Sequence, residues 1–229
     1  MKIATWNLMR PTARTISRNK IVHEKLIKCN ADILILTETN AEIHPGAEYL
    51  WKATTELPAA IKISDMDLKY SEGENRVTIF SKYPFGKSFE TFDNYTSVCS
   101  EVFTPYGTLI AYATIIGILG GKGKEFTADF DRQKADIVEL SGNKNFCLIG
   151  DLNISFSGFA YPGRKVINEA NKFFEQNALT ILTRNIADSP DHIIISKAFM
   201  NDKEVEICHL PFDKKVTDHS LISTVINKK

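Results

Sequence analysis

Two segments of this sequence place polar residues where a buried strand ends or begins. The largely apolar residues 145–149 read as a buried strand, and Asp151 and Asn153 follow it closely. Near the carboxyl end, Asp218 and His219 lie just before a second apolar segment. A carboxylate, a carboxamide and an imidazole held at strand ends sit on a rigid mount, as an active site requires. We expect the two junctions to form one shared site.

The polar residues at these and other predicted strand boundaries suggest metal-dependent hydrolysis of a phosphate ester. Their hard oxygen atoms favour Mg²⁺, with Mn²⁺ as the alternative, over zinc. Clustered carboxylates repel one another unless a divalent cation neutralises them, so an ion would explain the cluster. A positioned water, a base and a cation are what such hydrolysis needs. The candidate residues are Asn7, Glu38, Asp151, Asn153, Asp191, Asp218 and His219.

Composition predicts one globular domain spanning residues 1–229. The chain is 43% hydrophobic and 24% charged with a formal net charge of zero, which suits a domain with a large core. It shows no secretory signal and no apolar run long enough to cross a bilayer, so we expect a cytoplasmic protein without a membrane span. Nothing points to an obligate protein partner. Cys29, Cys99, Cys147 and Cys208 lack zinc-site spacing and are expected to be buried free thiols.

The elements that must position these residues alternate between strand-like and helix-like patterns, which favours a layered α/β or α+β domain. Polar residues 37–40 are expected to follow the second strand rather than to belong to it. The predicted strands cover residues 2–6, 32–36, 77–81, 98–103, 108–116, 145–149, 193–196, 205–209 and 221–226. The predicted helices cover residues 15–29, 129–140 and 164–177.

An ordered set of motifs resembles the endonuclease/exonuclease/phosphatase superfamily over essentially the whole chain. One Gly-Asp-x-Asn match alone is weak, since ordinary residue usage would produce one in roughly a few per cent of chains this long. The complete set, in the expected order, is specific. The resemblance implies a deoxyribonuclease I-like α/β fold, classed as α+β in some schemes, in which two mixed β-sheets flanked by helices form a four-layer sandwich. The matching segments are residues 4–8, 31–39, 77–84, 150–153, 191–194 and 217–220.

The resemblance also implies a role for each residue on the metal side of the site. Glu38 matches the family's metal-binding glutamate, Asn7 would complete the ion's surroundings through its carboxamide oxygen, and Asp218 matches a carboxylate near the metal. Asp151 is similar to the residue that orients or deprotonates the attacking water. Asn153 would donate hydrogen bonds to the scissile phosphate. The implied reaction is one in-line attack by water without a covalent enzyme intermediate.

On the phosphate side, the resemblance assigns His219 to contact the phosphate and stabilise its charge. Asp191 is similar to the aspartate that hydrogen-bonds this histidine and favours its protonated form. Because neighbouring side chains on a strand point to opposite faces, His192 is expected to point away from the site and to have a structural role.

One position departs from the family pattern. Many members carry a histidine at the end of the strand that here covers residues 108–116, where Thr114 or Ile115 stands instead. Some members place a tyrosine in this region. Tyr112 could replace it if the alignment shifts by two residues along the same strand face, or it could pack in the core.

Substrate identity rests on residues in the loops beside the motifs. If the basic loops share the rim of the site, they would bind backbone phosphates, with Arg10 as a substrate contact; otherwise they are solvated charges. The aromatic residues Phe156, Phe159 and Tyr161 could stack on bases, cover a lipid or nucleotide group, or fill the core. The basic residues in question are Arg10, Arg14, Arg18, Lys122, Lys124, Arg164, Lys165, Lys214 and Lys215.

The sequence therefore favours a magnesium-dependent phosphodiesterase, with nucleic acid as the favoured substrate and partner. One alternative is a phosphatase or phosphodiesterase for a small phosphorylated molecule or a phospholipid headgroup. The other alternative is a binding protein that keeps the fold without catalysis.

Overall fold

Two six-stranded sheets form the centre of the computed structural model, which describes residues 1–57, 61–63, 66–68, 70–117, 120–142 and 144–229. A separate hairpin pairs two short strands. The strands are β1 (Lys2–Asn7), β2 (Ile33–Asn40), β3 (Trp51–Thr54), β4 (Ile61–Ile63), β5 (Met66–Leu68), β6 (Glu74–Ser81), β7 (Phe85–Phe89), β8 (Ser97–Thr104), β9 (Gly107–Ile115), β10 (Phe146–Asp151), β11 (Leu179–Ile181), β12 (Asp191–Ser196), β13 (Lys203–Leu210) and β14 (Leu221–Lys228). The helices are α1 (Ile16–Cys29), α2 (Lys124–Ser141), α3 (Arg164–Gln176) and α4 (Lys197–Met200).

Both sheets are mixed. The first has the strand order β13-β14-β1-β2-β6-β3, and the second has the order β11-β12-β10-β9-β8-β7. Strand β1 runs parallel to β2, and β9 runs parallel to β10, whereas the remaining neighbours within the two sheets are antiparallel. In each sheet, the carboxyl ends of the two parallel strands therefore lie side by side.

Side-chain alternation along the strands produces four layers. Ile149 of β10 lies in the apolar core between the two sheets, whereas its neighbour Leu148 packs in the cluster that includes residues of α2 and α3. On the other side of the molecule, Val22 and Leu26 of α1 pack in a cluster with Leu34 of β2. The order helix, sheet, sheet, helix confirms the predicted sandwich of two mixed sheets flanked by helices.

Some element boundaries differ from the sequence-based expectation. Helix α2 begins at Lys124 rather than at residue 129, because Phe126 and Phe130 stack on each other and extend its buried face by one turn. Strand β2 continues through residues 37–40 because these residues still pair with β6. Strands β3, β4, β5, β7 and β11 and helix α4 were not predicted.

The cysteine prediction is only partly confirmed. All four thiols are free, and Cys99 and Cys147 are buried, but Cys29 is only partly buried and Cys208 is exposed. Cys208 lies on β13, at the edge of the first sheet.

In the part of the chain that the structure describes, no helix combines the length and the apolar character that crossing a bilayer would require.

Candidate active site

The candidate site forms where the carboxyl ends of β1 and β10 meet the start of β12. Asn7 is the last residue of β1 and Asp151 is the last residue of β10. Asp191 opens β12 and stands opposite Asp151 in the antiparallel ladder. Strands from the two sheets therefore bring these three side chains to one edge of the sandwich.

The end of β1 also holds the loop that carries His219. The hydroxyl of Thr217 donates a hydrogen bond to the backbone carbonyl of Asn7 at 3.0 Å, and the backbone N–H of His219 donates to that hydroxyl at 3.2 Å. The indole N–H of Trp6 donates to the backbone carbonyl of His219 at 3.1 Å. These bonds fix the loop position, so that the imidazole reaches the acids of the second sheet.

A compact group of ionisable side chains results. His219 Nδ1 lies 2.6 Å from Asp191 Oδ2, and Asp151, Asp191 and His219 each offer an atom within 4.8 Å of the others. The amide of Asn7 donates to Asp151 Oδ2 at 2.9 Å. The structure thus brings together four residues predicted from separate motifs, namely Asn7, Asp151, Asp191 and His219. One is an uncharged amide, two are acids and one is a base.

The pKa values of Asp151 and His219 are strongly shifted. Burial raises the pKa of Asp151 to about 7, and the negative charge of Asp191 adds to this effect. Burial opposes protonation of His219, but its ion pair with Asp191 and the charge of Asp151 outweigh burial and raise its pKa to about 10. His219 is therefore an imidazolium at neutral pH, held beside a carboxylate that can take up or release a proton near neutrality.

Glu38 lies in β2 of the first sheet. Its carboxylate is not part of the compact group formed by Asp151, Asp191 and His219. Its backbone has φ 46° within β2, a left-handed conformation uncommon for glutamate. Burial raises the pKa of its carboxyl group, and the positive charges of Arg76, His219 and Arg10 act in the opposite direction. The influence of His219 places Glu38 on the site side of the molecule.

Asp218 is the most exposed of the predicted site residues. Its side chain is 69% exposed, and its Oδ1 lies 3.7 Å from His219 Nε2. The carboxylate therefore stands at the solvent side of the imidazole, opposite Asp191.

A buried charged network behind Glu38 was missed in the sequence. Arg76 of β6 is 1% exposed and places its Nη1 3.5 Å from Glu38 Oε1. The guanidinium also lies over the Tyr70 ring, 5.1 Å from the centroid. An arginine directly before the predicted strand 77–81 was the available signal, because a buried arginine needs a partner.

Arg10 is engaged in this network. Its guanidinium makes two hydrogen bonds to the buried carboxylate of Glu74, at 2.6 and 3.0 Å. The predicted use of Arg10 as a substrate contact would therefore have to coexist with a bidentate ion pair.

Asn153 makes hydrogen bonds that differ from its predicted role. Its side-chain nitrogen donates to the backbone carbonyls of Ile116 at 2.8 Å and Gly117 at 3.2 Å. Its backbone N–H donates to Asp151 Oδ1 at 2.9 Å. Both amide hydrogens are thus engaged, and this arrangement does not support donation to a phosphate. Asn153 instead ties the segment after β9 to the segment after β10.

Both candidates for the position of the missing histidine, Thr114 and Ile115, are buried, and Ile115 packs in the core between the two sheets. Thr114 is buried, and its hydroxyl donates to the backbone carbonyl of Thr96 at 3.1 Å. The Tyr112 hydroxyl donates to Asp136 of α2 at 2.8 Å, in the outer cluster of the second sheet. The alternative in which Tyr112 replaces the family's tyrosine is therefore wrong, and Tyr112 packs in the core.

His192 is a structural residue, as its position beside Asp191 indicates. It is fully buried, with Nε2 2.8 Å from the backbone carbonyl of Ile154 and Nδ1 2.8 Å from the hydroxyl of Thr183. A carbonyl only accepts, so Nε2 carries the hydrogen and Nδ1 accepts from Thr183. Burial lowers the pKa of His192 to about 4, which keeps the ring neutral.

A lowered pKa of His192 should make folding stability fall in acid. Because the folded pKa is about 4, this contribution is fully present above the unfolded pKa of about 6.5 and is lost as pH falls below it. Relative to His192→Gln, which can keep both hydrogen bonds, the wild type should lose about 2 kcal/mol of unfolding free energy between about pH 7.5 and about pH 5. Urea unfolding of both proteins measures this difference. If the difference in unfolding free energy between wild type and His192→Gln did not change with pH, His192 would not be held neutral in the folded protein.

Two cavities flank the site. One, of about 250 Å³, is lined by Met9, Arg18, Lys214, Lys215, Val216, Thr217 and Asp218. The other, of about 280 Å³, is lined by Asn153, Ser155, Phe159, Tyr161, Asp188, Pro190 and His219. The first, called the basic cavity, is lined by Thr217 and Asp218, which directly precede His219 in the chain, and the second, called the aromatic cavity, is lined by His219 itself. Among the other predicted basic residues, Arg14, Lys122, Lys124, Arg164 and Lys165 are exposed and line neither cavity.

Solved structures share this architecture at low sequence identity. An endonuclease/exonuclease/phosphatase protein from Beutenbergia cavernae superposes with a TM-score of 0.70 at 15% identity, covering 100% of this chain and 71% of that one. An AP endonuclease from Archaeoglobus fulgidus gives 0.70 at 14% identity, covering 99% of each chain. A 3′-5′ exonuclease from Neisseria meningitidis gives 0.68 at 14% identity, covering 99% of this chain and 100% of that one. These likenesses show the fold.

The sequence itself carries the family assignment. No curated protein matches the chain. Residues 4–219 match the family described as the Endonuclease/Exonuclease/phosphatase family, a span that runs from the first strand to the imidazole of the site. The chain belongs to the endonuclease/exonuclease/phosphatase family.

Proposed function

We propose that this protein is a divalent-metal-dependent phosphodiesterase that cleaves nucleic acid by in-line attack of water. Family membership supports metal-dependent hydrolysis of phosphate esters in general. The observation that carries the proposal is the junction of Asp151, Asp191 and His219, where a carboxylate and an imidazolium lie within 4.8 Å at the edge of the sandwich. A base and a positive charge at this separation can act on the two sides of one reacting phosphate.

The residues present fit a hard divalent cation. Asp191 Oδ1 is buried and has no hydrogen-bond partner among the residues that the structure describes, so it remains free to accept from a water of a hydrated cation. The oxygen atoms available as metal ligands belong to carboxylates and carboxamides, which suit Mg²⁺ or Mn²⁺. Protonated His219 has no free ring nitrogen with which to bind a metal, so we assign the ion to Glu38, Asn7 and Asp218 on the side of the first sheet. A bound metal would supply neutralisation of negative charge on the phosphoryl oxygens.

The chain's own groups carry the remaining steps. Asp151 orients a water and accepts its proton, since a pKa near neutrality suits a general base. The Nε2–H of His219 donates to a phosphate oxygen, while Nδ1–H remains bonded to Asp191. Asp191 is buried and cannot reorient freely, so it holds the imidazolium in place. Asn7 and Asn153 fix the two oxygens of Asp151 through hydrogen bonds.

The substrate class is tested with a panel under one metal condition. Single-stranded DNA, duplex DNA, abasic DNA, RNA and a phosphoinositide are each incubated with the protein and Mg²⁺, with Mn²⁺, and with chelator. We expect metal-dependent cleavage of at least one nucleic acid. Cleavage of the phosphoinositide alone would support the small-molecule alternative, and cleavage of none would support the binding protein.

Removing the Glu38 carboxylate should weaken metal use. We expect Glu38→Gln to raise the Mg²⁺ concentration for half-maximal activity at least about tenfold, because the number of charged ligands sets the affinity for hard cations. Calorimetric titration of Mg²⁺ measures the same change without turnover. Glu42→Gln is the matched control, since Glu42 is an exposed acid just after β2. Equal metal dependence of Glu38→Gln and wild type would exclude Glu38 as a ligand.

The basic cavity supports a polyanionic substrate. Lys214 and Lys215 are exposed and line it together with Arg18, whose Nη2 donates to the carbonyls of Leu8 and Met9. Two of the similar structures are also named as nucleases. Lysines beside the scissile phosphate would contact the phosphates of neighbouring nucleotides.

Charge reversal at this cavity should weaken nucleic-acid binding and flatten its salt dependence. For Lys214→Glu with Lys215→Glu, we expect the slope of log affinity against log salt concentration to decrease by about one to two. This slope is measured by fluorescence anisotropy with a single-stranded oligonucleotide. Both double variants are made in an Asp151→Asn background, which prevents turnover. Lys228→Glu with Lys229→Glu makes the same charge change at the other end of β14 and should leave the slope unchanged. Equal slopes for both double variants would place the nucleic acid elsewhere.

A further inference from the structure

The three aromatic residues after β10 have different environments. Phe156 packs against Phe174 and His192, with ring centroids 6.3 and 4.8 Å away, and so fills the protein's own core. The Tyr161 hydroxyl accepts a hydrogen bond from the backbone N–H of Gly121 at 2.7 Å. Phe159 is 78% exposed. Of the three rings, Phe159 is therefore the most exposed to solvent, since Phe156 and Tyr161 are partly buried.

The loop that presents Phe159 is fixed by hydrogen bonds. The backbone N–H of Ser155 donates to the carbonyl of Tyr161 at 2.8 Å, and that of Asp188 donates to the carbonyl of Ser157 at 2.9 Å. Asp188 Oδ1 accepts from the backbone N–H of Phe159 at 2.6 Å. A large apolar ring held in water by an ordered loop costs hydration free energy that a ligand could recover.

A glycine allows the loop to lie close to Asp188. Gly158 has φ 79°, and a Cβ atom there would lie 2.3 Å from Asp188 Oδ1. The close contact between the loop and Asp188 therefore requires glycine at this position.

Phe159 shares a cavity with the imidazole of the site. The cavity of about 280 Å³ is lined by Phe159 together with Asn153 and His219. A group attached to a phosphate at His219 could therefore reach this ring within the same cavity. We infer that Phe159 is the stacking surface for the nucleobase of the nucleotide next to the scissile phosphate. This inference rests on the proposed function and names a specificity-determining residue for it.

The cavity suits a base better than an acyl chain. Its volume is just below the roughly 300 Å³ at which pockets for drug-sized ligands begin, which leaves room for about one base and its sugar. The exposed Asp188 also lines it, and the edge of a base can form hydrogen bonds to a carboxylate whereas a hydrocarbon cannot. Every base has a flat face, so stacking on Phe159 would favour nucleotides without selecting one sequence.

The test compares two polymers that differ only in their bases. One is an oligothymidylate, and the other is an oligomer of abasic deoxyribose-like phosphates of the same length and charge. Metal-dependent hydrolysis is measured for the wild type, Phe159→Ala and Phe159→Trp. The control is Phe103→Ala, which removes a ring on β8 that is 48% exposed and does not line this cavity. Equilibrium binding of both polymers is measured by anisotropy in the Asp151→Asn background.

We expect the wild type to prefer the base-bearing polymer. Phe159→Ala should reduce this preference about five- to a hundred-fold in kcat/KM and in binding, as expected for one lost base–aromatic stack, and Phe159→Trp and Phe103→Ala should keep it. Hydrolysis of both polymers without preference, or a preference unchanged in Phe159→Ala, would overturn the inference alone. If neither polymer is hydrolysed, the binding preference alone decides the inference, and the proposed function is rejected as well only when no nucleic acid of the panel is cleaved. Preferential cleavage of a phosphoinositide that depends on Phe159 would assign the ring to a lipid headgroup instead.

Discussion

Asp151→Asn is expected to lower kcat for phosphodiester hydrolysis by about 10²- to 10⁴-fold, the range for loss of a positioned general base. Asparagine keeps the size of the side chain and can still pair with one of its neighbours, Asn7 or Asn153. Burial and the charge of Asp191 raise the pKa of Asp151 to about 7, so ionised Asp151 is destabilising above that pH. The melting temperature of Asp151→Asn at about pH 8 in chelator should therefore not be lower than that of the wild type.

The control for this variant is Asp131→Asn. Asp131 lies on α2, is largely exposed and pairs with Lys134 on the same helix. The variant Asp131→Asn should retain the kcat of the wild type. If Asp151→Asn retained kcat within a few-fold while remaining folded, the proton of the attacking water would have to go elsewhere.

His219→Ala is expected to reduce both activity and stability. Loss of one charged donor to the transition state should cost about 10²- to 10³-fold in kcat. The variant also leaves Asp191, which is 0% exposed, as a buried carboxylate without its imidazolium partner. Breaking a buried ion pair by removing one partner typically costs about 3–5 kcal/mol of unfolding free energy. Steady-state kinetics and urea unfolding measure the two losses separately.

A second substitution separates the two roles of His219. In His219→Ala with Asp191→Asn, the buried charge is removed, so most of the lost stability should return while kcat stays low. This double variant also provides a folded protein if His219→Ala alone is too unstable to study. Recovery of activity in the double variant would show that His219 serves only to neutralise Asp191 and does not act on the phosphate.

Local patterns were sufficient for the elements that carry the site. The apolar segment before Asp151 lies in β10, and the predicted strand 2–6 lies in β1, because apolar runs bounded by polar residues report burial directly. The same logic placed His192 away from the site, since neighbours on a strand alternate. Boundaries that depend on tertiary pairing were not readable. Residues 37–40 remain in β2 because β6 continues beside them.

Side-chain partners distant in the chain were the part that sequence patterns could not supply. The pair between Glu38 and Arg76 spans 38 positions, and no local spacing encodes it. Asn153 was predicted to bind phosphate, but its amide hydrogens are taken by the carbonyls after β9, which become available only when β9 and β10 pair. The aromatic loop shows the same limit. Phe156 and Phe159 are three residues apart, and only the packing against Phe174 separates a core ring from an exposed one.

The most direct test of the central claim is the turnover of a chromogenic phosphodiester by the wild-type protein, with Mg²⁺ and after chelation. We expect hydrolysis that requires the metal and that Asp151→Asn abolishes, since the claim is that a bound ion and this carboxylate together direct water to phosphorus. Hydrolysis that persists in chelator and in Asp151→Asn would contradict the claim. So would the absence of metal-dependent turnover of this ester and of every nucleic acid and phosphoinositide in the panel.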